Sequence, residues 1–259
     1  MNPWLKLSIE FANQRNYLDE LFQVYPTIPE GIRAIDPALM KRAKEAFDKK
    51  DNLELINALL EFDLFPIKDS YAAYLKRDPS SIERNPATIG RLCGRLYEMG
   101  LDKILERSSE PKETNRQMGQ RFREWLNKKA LGVRPVKIDE FLKTEENAVL
   151  DGGDAELMGF ARTHLGYKHN KGLDLVARFN KKYVIGEAKF LTDFGGHQNA
   201  QFNDAITTLK AKDKAINIAI LDGVLYIKGG NGMHRAIATA LKKHNIMSGL
   251  VLREFLYQI

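Results

Sequence analysis

Residues 172–191, GLDLVARFNKKYVIGEAKFL, read as two short apolar strands joined by a polar turn. Leu173, Leu175 and Val176 mark the first strand, and Tyr183, Val184 and Ile185 mark the second. Asn180-Lys181-Lys182 between them has the composition of a hairpin turn. In such a hairpin Asp174 and Glu187 lie side by side near one end of a central sheet. Lys189, two residues beyond Glu187, projects from the same face, because side chains alternate along a strand. Gly172 and Gly186 stand near the two acids, where small residues let a phosphate backbone approach.

Two acids and a lysine on one spot suit hydrolysis of a phosphodiester. That reaction needs a hard cation held by carboxylate oxygens, typically Mg2+ with several retained waters, to polarise the phosphoryl oxygen and lower the pKa of an attacking water. Asp174 and Glu187 are the expected metal ligands, with the backbone carbonyl of Ala188 as a third oxygen. Lys189 is expected to orient or deprotonate the water and to offset charge on the transition state.

The arrangement resembles the PD-(D/E)xK nuclease superfamily and, within it, the type II restriction endonucleases. The resemblance covers roughly residues 150–230: Asp174 stands for the first acid of the motif and Glu187-Ala188-Lys189 for E-x-K. Leu173 replaces the proline of the motif's name and leaves the acid in place. SEPKETNRQ (109–117) and FLTDFGGHQNAQFNDA (190–205) also resemble segments of a restriction enzyme subgroup. The resemblance implies sequence-specific, Mg2+-dependent cleavage of double-stranded DNA by a homodimer, beside a methyltransferase that protects host sites. Two alternatives stay open: another nuclease of the superfamily (a junction resolvase, repair nickase or transposon endonuclease), and a non-catalytic DNA-binding regulator.

Composition agrees with a polyanionic partner. The 259 residues carry a formal charge of +6, with a pI near 9.2, which favours DNA without requiring it. The single cysteine, Cys93, excludes an intrachain disulfide and a cysteine-based zinc cluster, and fits a reducing cytoplasm. No apolar run is long enough for a membrane span, and MNPWLKLSIEFANQR lacks a signal-peptide core.

Upstream of the hairpin the chain reads as helical: residues 4–24, an antiparallel pair over 37–47 and 53–64, and Pro86 to Met99 between Asn85 and Gly100. Arg91 and Arg95 share one face of that last helix. The helix either packs Ile89, Leu92, Leu96 and Met99 into a core or enters a DNA groove. A further helix from Glu113 to Asn127 starts in a basic, amide-rich segment. There Lys112, Asn115, Arg116 and Gln117 have side chains suited to phosphates and base edges. Residues 136–150 are expected to form a linker helix, and 154–165 a helix capped by Asp154. Glu156, in the first turn, is a candidate additional acid or simply a carboxylate at a helix N-terminus.

Beyond Lys189, the residues His197, Gln198, Asn199, Gln201 and Asn203 form a dense polar cluster after Gly195-Gly196, suited to DNA contacts or to capping. Residues 214–227 are expected to give two strands around Asp222-Gly223, followed by a helix over 233–244 and a last strand or helix. The expected fold is α/β: a restriction-endonuclease-like mixed central sheet flanked by helices. Residues 1–108 are read as a helical N-terminal region and 109–259 as the catalytic core, or the whole as one compact domain.

Overall fold

The computed structural model of the chain describes residues 1–26, 31–111, 114–229 and 231–259, with 114–117 described by their backbone. Among these residues one six-stranded sheet forms from β1 (Pro135–Val136), β2 (Ala148–Leu150), β3 (Leu175–Phe179), β4 (Lys182–Leu191), β5 (Ile216–Gly223) and β6 (Ile246–Met247), in that spatial order. β3 runs antiparallel to both β2 and β4, while β1 is parallel to β2, and β4, β5 and β6 are mutually parallel. The sheet is thus mixed and flanked by helices, as expected. The β3–β4 hairpin turns through Asn180 and Lys181, both left-handed at φ 48° and 63°. Two such residues make the turn that matches strand twist.

The helices are α1 (Pro3–Ala12), α2 (Tyr17–Val24), α3 (Pro37–Asp48), α4 (Asn52–Glu61), α5 (Ser70–Arg77), α6 (Pro86–Met99), α7 (Leu101–Ser108), α8 (Thr114–Asn127), α9 (Ile138–Lys143), α10 (Asp154–Phe160), α11 (Gly196–Leu209), α12 (Gly232–Ala238) and α13 (Leu252–Gln258). They fall into two compact units: Met1–Thr27 together with Glu113–Ile259, and Ile28–Lys112. In the sheet unit, alternation along β3 and β4 builds two apolar layers. Leu175, Ala177, Val184 and Ala188 pack with Leu21, Phe122 and Phe202. Val176 and Ile185 pack with Phe141, Leu157 and Phe160. No described helix is long and apolar enough to cross a membrane.

Residues 1–26, grouped by sequence with the helical region, instead join the sheet. Tyr17 and Tyr25 both place their hydroxyls 3.2 Å from the buried carboxylate of Asp222. Ser248 Oγ and Gly249 N also donate to that carboxylate. Burial pushes Asp222 up to about 6 against the pull of these four donors. The cluster explains why Asp222-Gly223 is no hairpin turn: β5 ends there as a single strand, and a short 3-10 turn, Val224–Tyr226, follows.

Three other expectations are corrected. The stretch 4–24 is two helices, broken between Ala12 and Tyr17. Residues 136–150 are not a linker helix, because Ala148 and Val149 pair with β3 and leave only α9 helical. The helix expected over 233–244 stops at Ala238, and the final segment is helical as α13.

The helical unit has its own core, with Leu55, Ile56 and Leu59 of α4 against Ile89, Leu92 and Leu96 of α6. Asp36 and Asp51 accept backbone N–H bonds at the starts of α3 and α4. Asn85 does not cap α6; its side chain bonds back to Ser81 O at 2.6 Å. Arg91 and Arg95 are both paired with Asp69, at 2.8 and 3.4 Å. α6 is therefore a packing helix whose basic face is already satisfied within the unit.

Candidate active site

Asp174 immediately precedes β3, and its N–H donates to Gly186 O at 3.1 Å, extending the ladder by one residue. That bond sets Asp174 beside Glu187. Gly186 is required at this point, because a Cβ there would come within 2.8 Å of Ile218 Cγ1 on β5. Asp174 Oδ2 accepts from Ala188 N at 2.9 Å and from Lys189 Nζ at 3.3 Å. Lys189 Nζ also lies 2.6 Å from Glu187 Oε1 and 3.1 Å from Ala188 O. One ammonium thus touches three oxygens: two carboxylate and one carbonyl.

Asp174 and Glu187 are only 6% and 5% exposed, so two acids share one buried spot with one lysine. Burial, then the Asp174 charge, pushes Glu187 up to about 7 against the pull of Lys189 and Lys171. Burial pulls Lys189 down, but the Asp174 and Glu187 charges outweigh it and leave Lys189 raised. The side chain is therefore an ammonium, a hydrogen-bond donor, in this arrangement.

The donor set fits a hard divalent cation. Oxygens of Asp174, Glu187 and Ala188 already surround a positive charge, and these are the ligand type that such an ion would take. Among the described residues no group of three or more His, Cys, Asp or Glu side chains is placed to hold a metal. A zinc-like cage is thus not part of the described site.

The remaining candidates are placed as follows. Glu156 folds back on its own helix, where its Oε2 accepts from Gly153 N at 2.7 Å. The five polar residues after Lys189 all lie on α11 rather than in a loop. Gln198 is buried and bonds Thr192 N at 3.2 Å, and Asn199 bonds Phe194 O at 3.0 Å, so both shape the β4–α11 turn. His197 and Gln201 bond each other at 3.2 Å, and Asn203 is exposed. Lys112 lies outside the described residues. Asn115, Arg116 and Gln117 occupy the start of α8, their side chains outside the described ones.

Two further basic residues stand near the site. Lys171, three residues before Asp174, pairs with Asp204 of α11. Arg123 of α8 pairs with Asp154. Charge is also unevenly divided: residues 28–112 hold 15 Lys and Arg against 15 Asp and Glu, and the rest of the chain 25 against 19. All of the excess positive charge therefore belongs to the unit that carries the trio. A cavity of about 440 Å³ lined by Tyr71, Tyr74 and Arg84 is in the helical unit and includes none of the trio.

A family model described as Tsp45I type II restriction enzyme matches residues 2–259. The chain belongs to the Tsp45I type II restriction enzyme family. No curated protein and no solved structure matches it. As a member of the Tsp45I family it is a sequence-specific restriction endonuclease, a deoxyribonuclease that hydrolyses phosphodiester bonds in DNA. Type II restriction enzymes generally use a divalent metal, in keeping with the oxygen donors around Lys189.

Proposed function

We propose that Asp174, Glu187 and Lys189 are the catalytic residues of this endonuclease and that Mg2+ is its metal. The observation that carries the reading is the convergence of Asp174 Oδ2, Glu187 Oε1 and Ala188 O on one cationic nitrogen, all within 3.3 Å. Asp174, Glu187 and the Ala188 carbonyl would hold the ion, which would supply Lewis acidity and acidify an attacking water. Lys189, as an ammonium, donates to the attacking water or to a phosphate oxygen and offsets the charge that grows there. Glu187 and Asp174, packed in a nearly dry recess, hold their oxygens fixed before substrate arrives, so little reorganisation accompanies the reaction.

DNA contacts are proposed for Lys112, Asn115, Arg116 and Gln117 at the start of α8, and for His197, Gln201 and Asn203 on α11. Gln198 and Asn199, first read with them, serve the turn that presents α11. Each chain carries one such trio, so cutting both strands calls for two copies, and we take the enzyme as a homodimer. A DNA methyltransferase that protects the same sites is its functional partner. The cytoplasm is its compartment, where DNA is present and the buried thiol of Cys93 stays reduced.

The test is incubation of unmethylated phage DNA with the protein in Mg2+ and in EDTA, with Lys189→Met and Glu187→Gln in parallel. Discrete fragments from the wild type in Mg2+ alone, and none from either variant, are expected. Undiminished cutting by either variant would sink the assignment.

A further inference from the structure

Arg123 stands one helical turn after Gly119, where α8 passes the trio: a Cβ on Gly119 would lie 3.9 Å from Asp174 Oδ1. Arg123, Asn127, Asp151, Gly152 and Asp174 line one small cleft. The guanidinium is engaged there by Asp154, with side chains 36% and 56% exposed. Asp154 is fixed by the segment that leads into β3. Its carbonyl accepts from Leu173 N at 3.3 Å, and Gly172 packs so closely that a Cβ would come within 2.7 Å of Asp154 Cβ.

The Arg123–Asp154 pair therefore sits at the mouth of the site without touching the metal-binding oxygens. An ion pair this exposed contributes little to stability. The same guanidinium forms stronger, bidentate bonds to a phosphate. Asp154, in the first turn of α10, keeps a favourable interaction with the helix N-terminus after Arg123 leaves.

We propose that Arg123 contacts the DNA backbone beside the scissile phosphate and that Asp154 holds it until DNA arrives, competing with phosphate and so weakening non-specific binding. The proposal rests on the reading of Asp174 and Glu187 as the active centre.

Binding is measured by fluorescence anisotropy on a labelled short duplex in EDTA, across a KCl series, for wild type, Arg123→Gln, Arg123→Lys and Asp154→Asn. Loss of one phosphate contact lowers the slope of log affinity against log salt by about 0.9. Arg123→Gln is expected to show that loss and Arg123→Lys to restore most of it. Asp154→Asn should bind tighter, by up to roughly fivefold. Wild-type slope and affinity in Arg123→Gln would overturn the proposal. So would Asp154→Asn that binds as weakly as Arg123→Gln, since the pair would then be only a structural tie. Asp154→Asn carries the test if Arg123→Gln does not fold. These curves involve neither metal nor cutting. Failure here is thus distinct from failure of the active-centre reading, which appears as cutting by Glu187→Gln in Mg2+.

Discussion

Glu187→Gln should stop cutting and, in EDTA above neutral pH, make the protein more stable. Two buried carboxylates share one lysine, so the recess holds a net negative charge until a cation enters. Burial and the Asp174 charge move Glu187 from 4.5 to about 7. That gap corresponds to about 3 kcal/mol held against the ionised side chain in the fold. The sign follows from linkage: between 4.5 and about 7 the folded state binds more protons than the unfolded one. Wild-type stability from this group is therefore complete below 4.5, falls as pH rises, and is fully lost above about 7.

The amide gives up the charge-assisted bond to Lys189, which keeps Asp174 Oδ2 and Ala188 O. A net gain of about 1–3 kcal/mol at pH 8, or roughly 2–10 °C in Tm, is expected. The assay is thermal unfolding of both proteins in EDTA at pH 5 and pH 8, then at pH 8 with Mg2+. The gain should shrink at pH 5, and Mg2+ should stabilise the wild type more than the variant, since binding to the folded state alone adds stability. A variant less stable than wild type at pH 8 in EDTA, or a gain that does not depend on pH, would refute the reasoning.

Three further outcomes are expected. Gly223→Ala should cost about 3 kcal/mol or more in denaturant unfolding, because Gly223 has φ 96° and a Cβ there would lie 2.0 Å from Leu191 O; a wild-type midpoint would contradict this. Tyr17→Phe should cost about 1–3 kcal/mol, since the hydroxyl both donates to Asp222 and accepts from Gly223 N at 2.9 Å, which would be left unpaired. Lys181→Gly should raise stability by about 0.4–1 kcal/mol, as glycine adopts the left-handed turn without strain and the Lys181–Glu145 pair it removes is exposed. An unchanged or lower Tm in that variant would count against the turn assignment.

The β3–β4 hairpin and its trio were legible because their signals are local: strand composition, a turn-forming tripeptide and the two-residue period that joins Glu187 to Lys189. The α3–α4 and α6 helices were legible for the same reason, through apolar spacing and helix-end residues. What the sequence hid depends on distant partners. β1 and β2 are too short to announce themselves and exist through pairing that ends on β3, nearly thirty residues away in the register Val149↔Ala177. The amides of α11 drew attention to DNA contacts and capping, while Phe202, Ala205 and Leu209 on the opposite side bury against the sheet and make the segment helical. Asp222 looked like a turn residue until Tyr17, more than two hundred positions earlier, supplied a donor. Arg123 and Asp154 carry no shared motif, and only the fold brings them together.

The cluster around Asp222 also bears on the order of events during synthesis. Tyr17 and Tyr25 leave the ribosome first, the β3–β4 hairpin follows much later, and Ser248 and Gly249 emerge only after all of them. A nascent chain that already contains Asp174, Glu187 and Lys189 still lacks β6 and two of the four donors to the buried carboxylate of Asp222. Pairings this far apart in sequence form slowly and late. A polypeptide that stalls or is cut short of residue 248 therefore keeps the proposed catalytic residues but leaves the Asp222 carboxylate buried with half of its donors missing, which ties assembly of the sheet to the synthesis of Ser248 and Gly249.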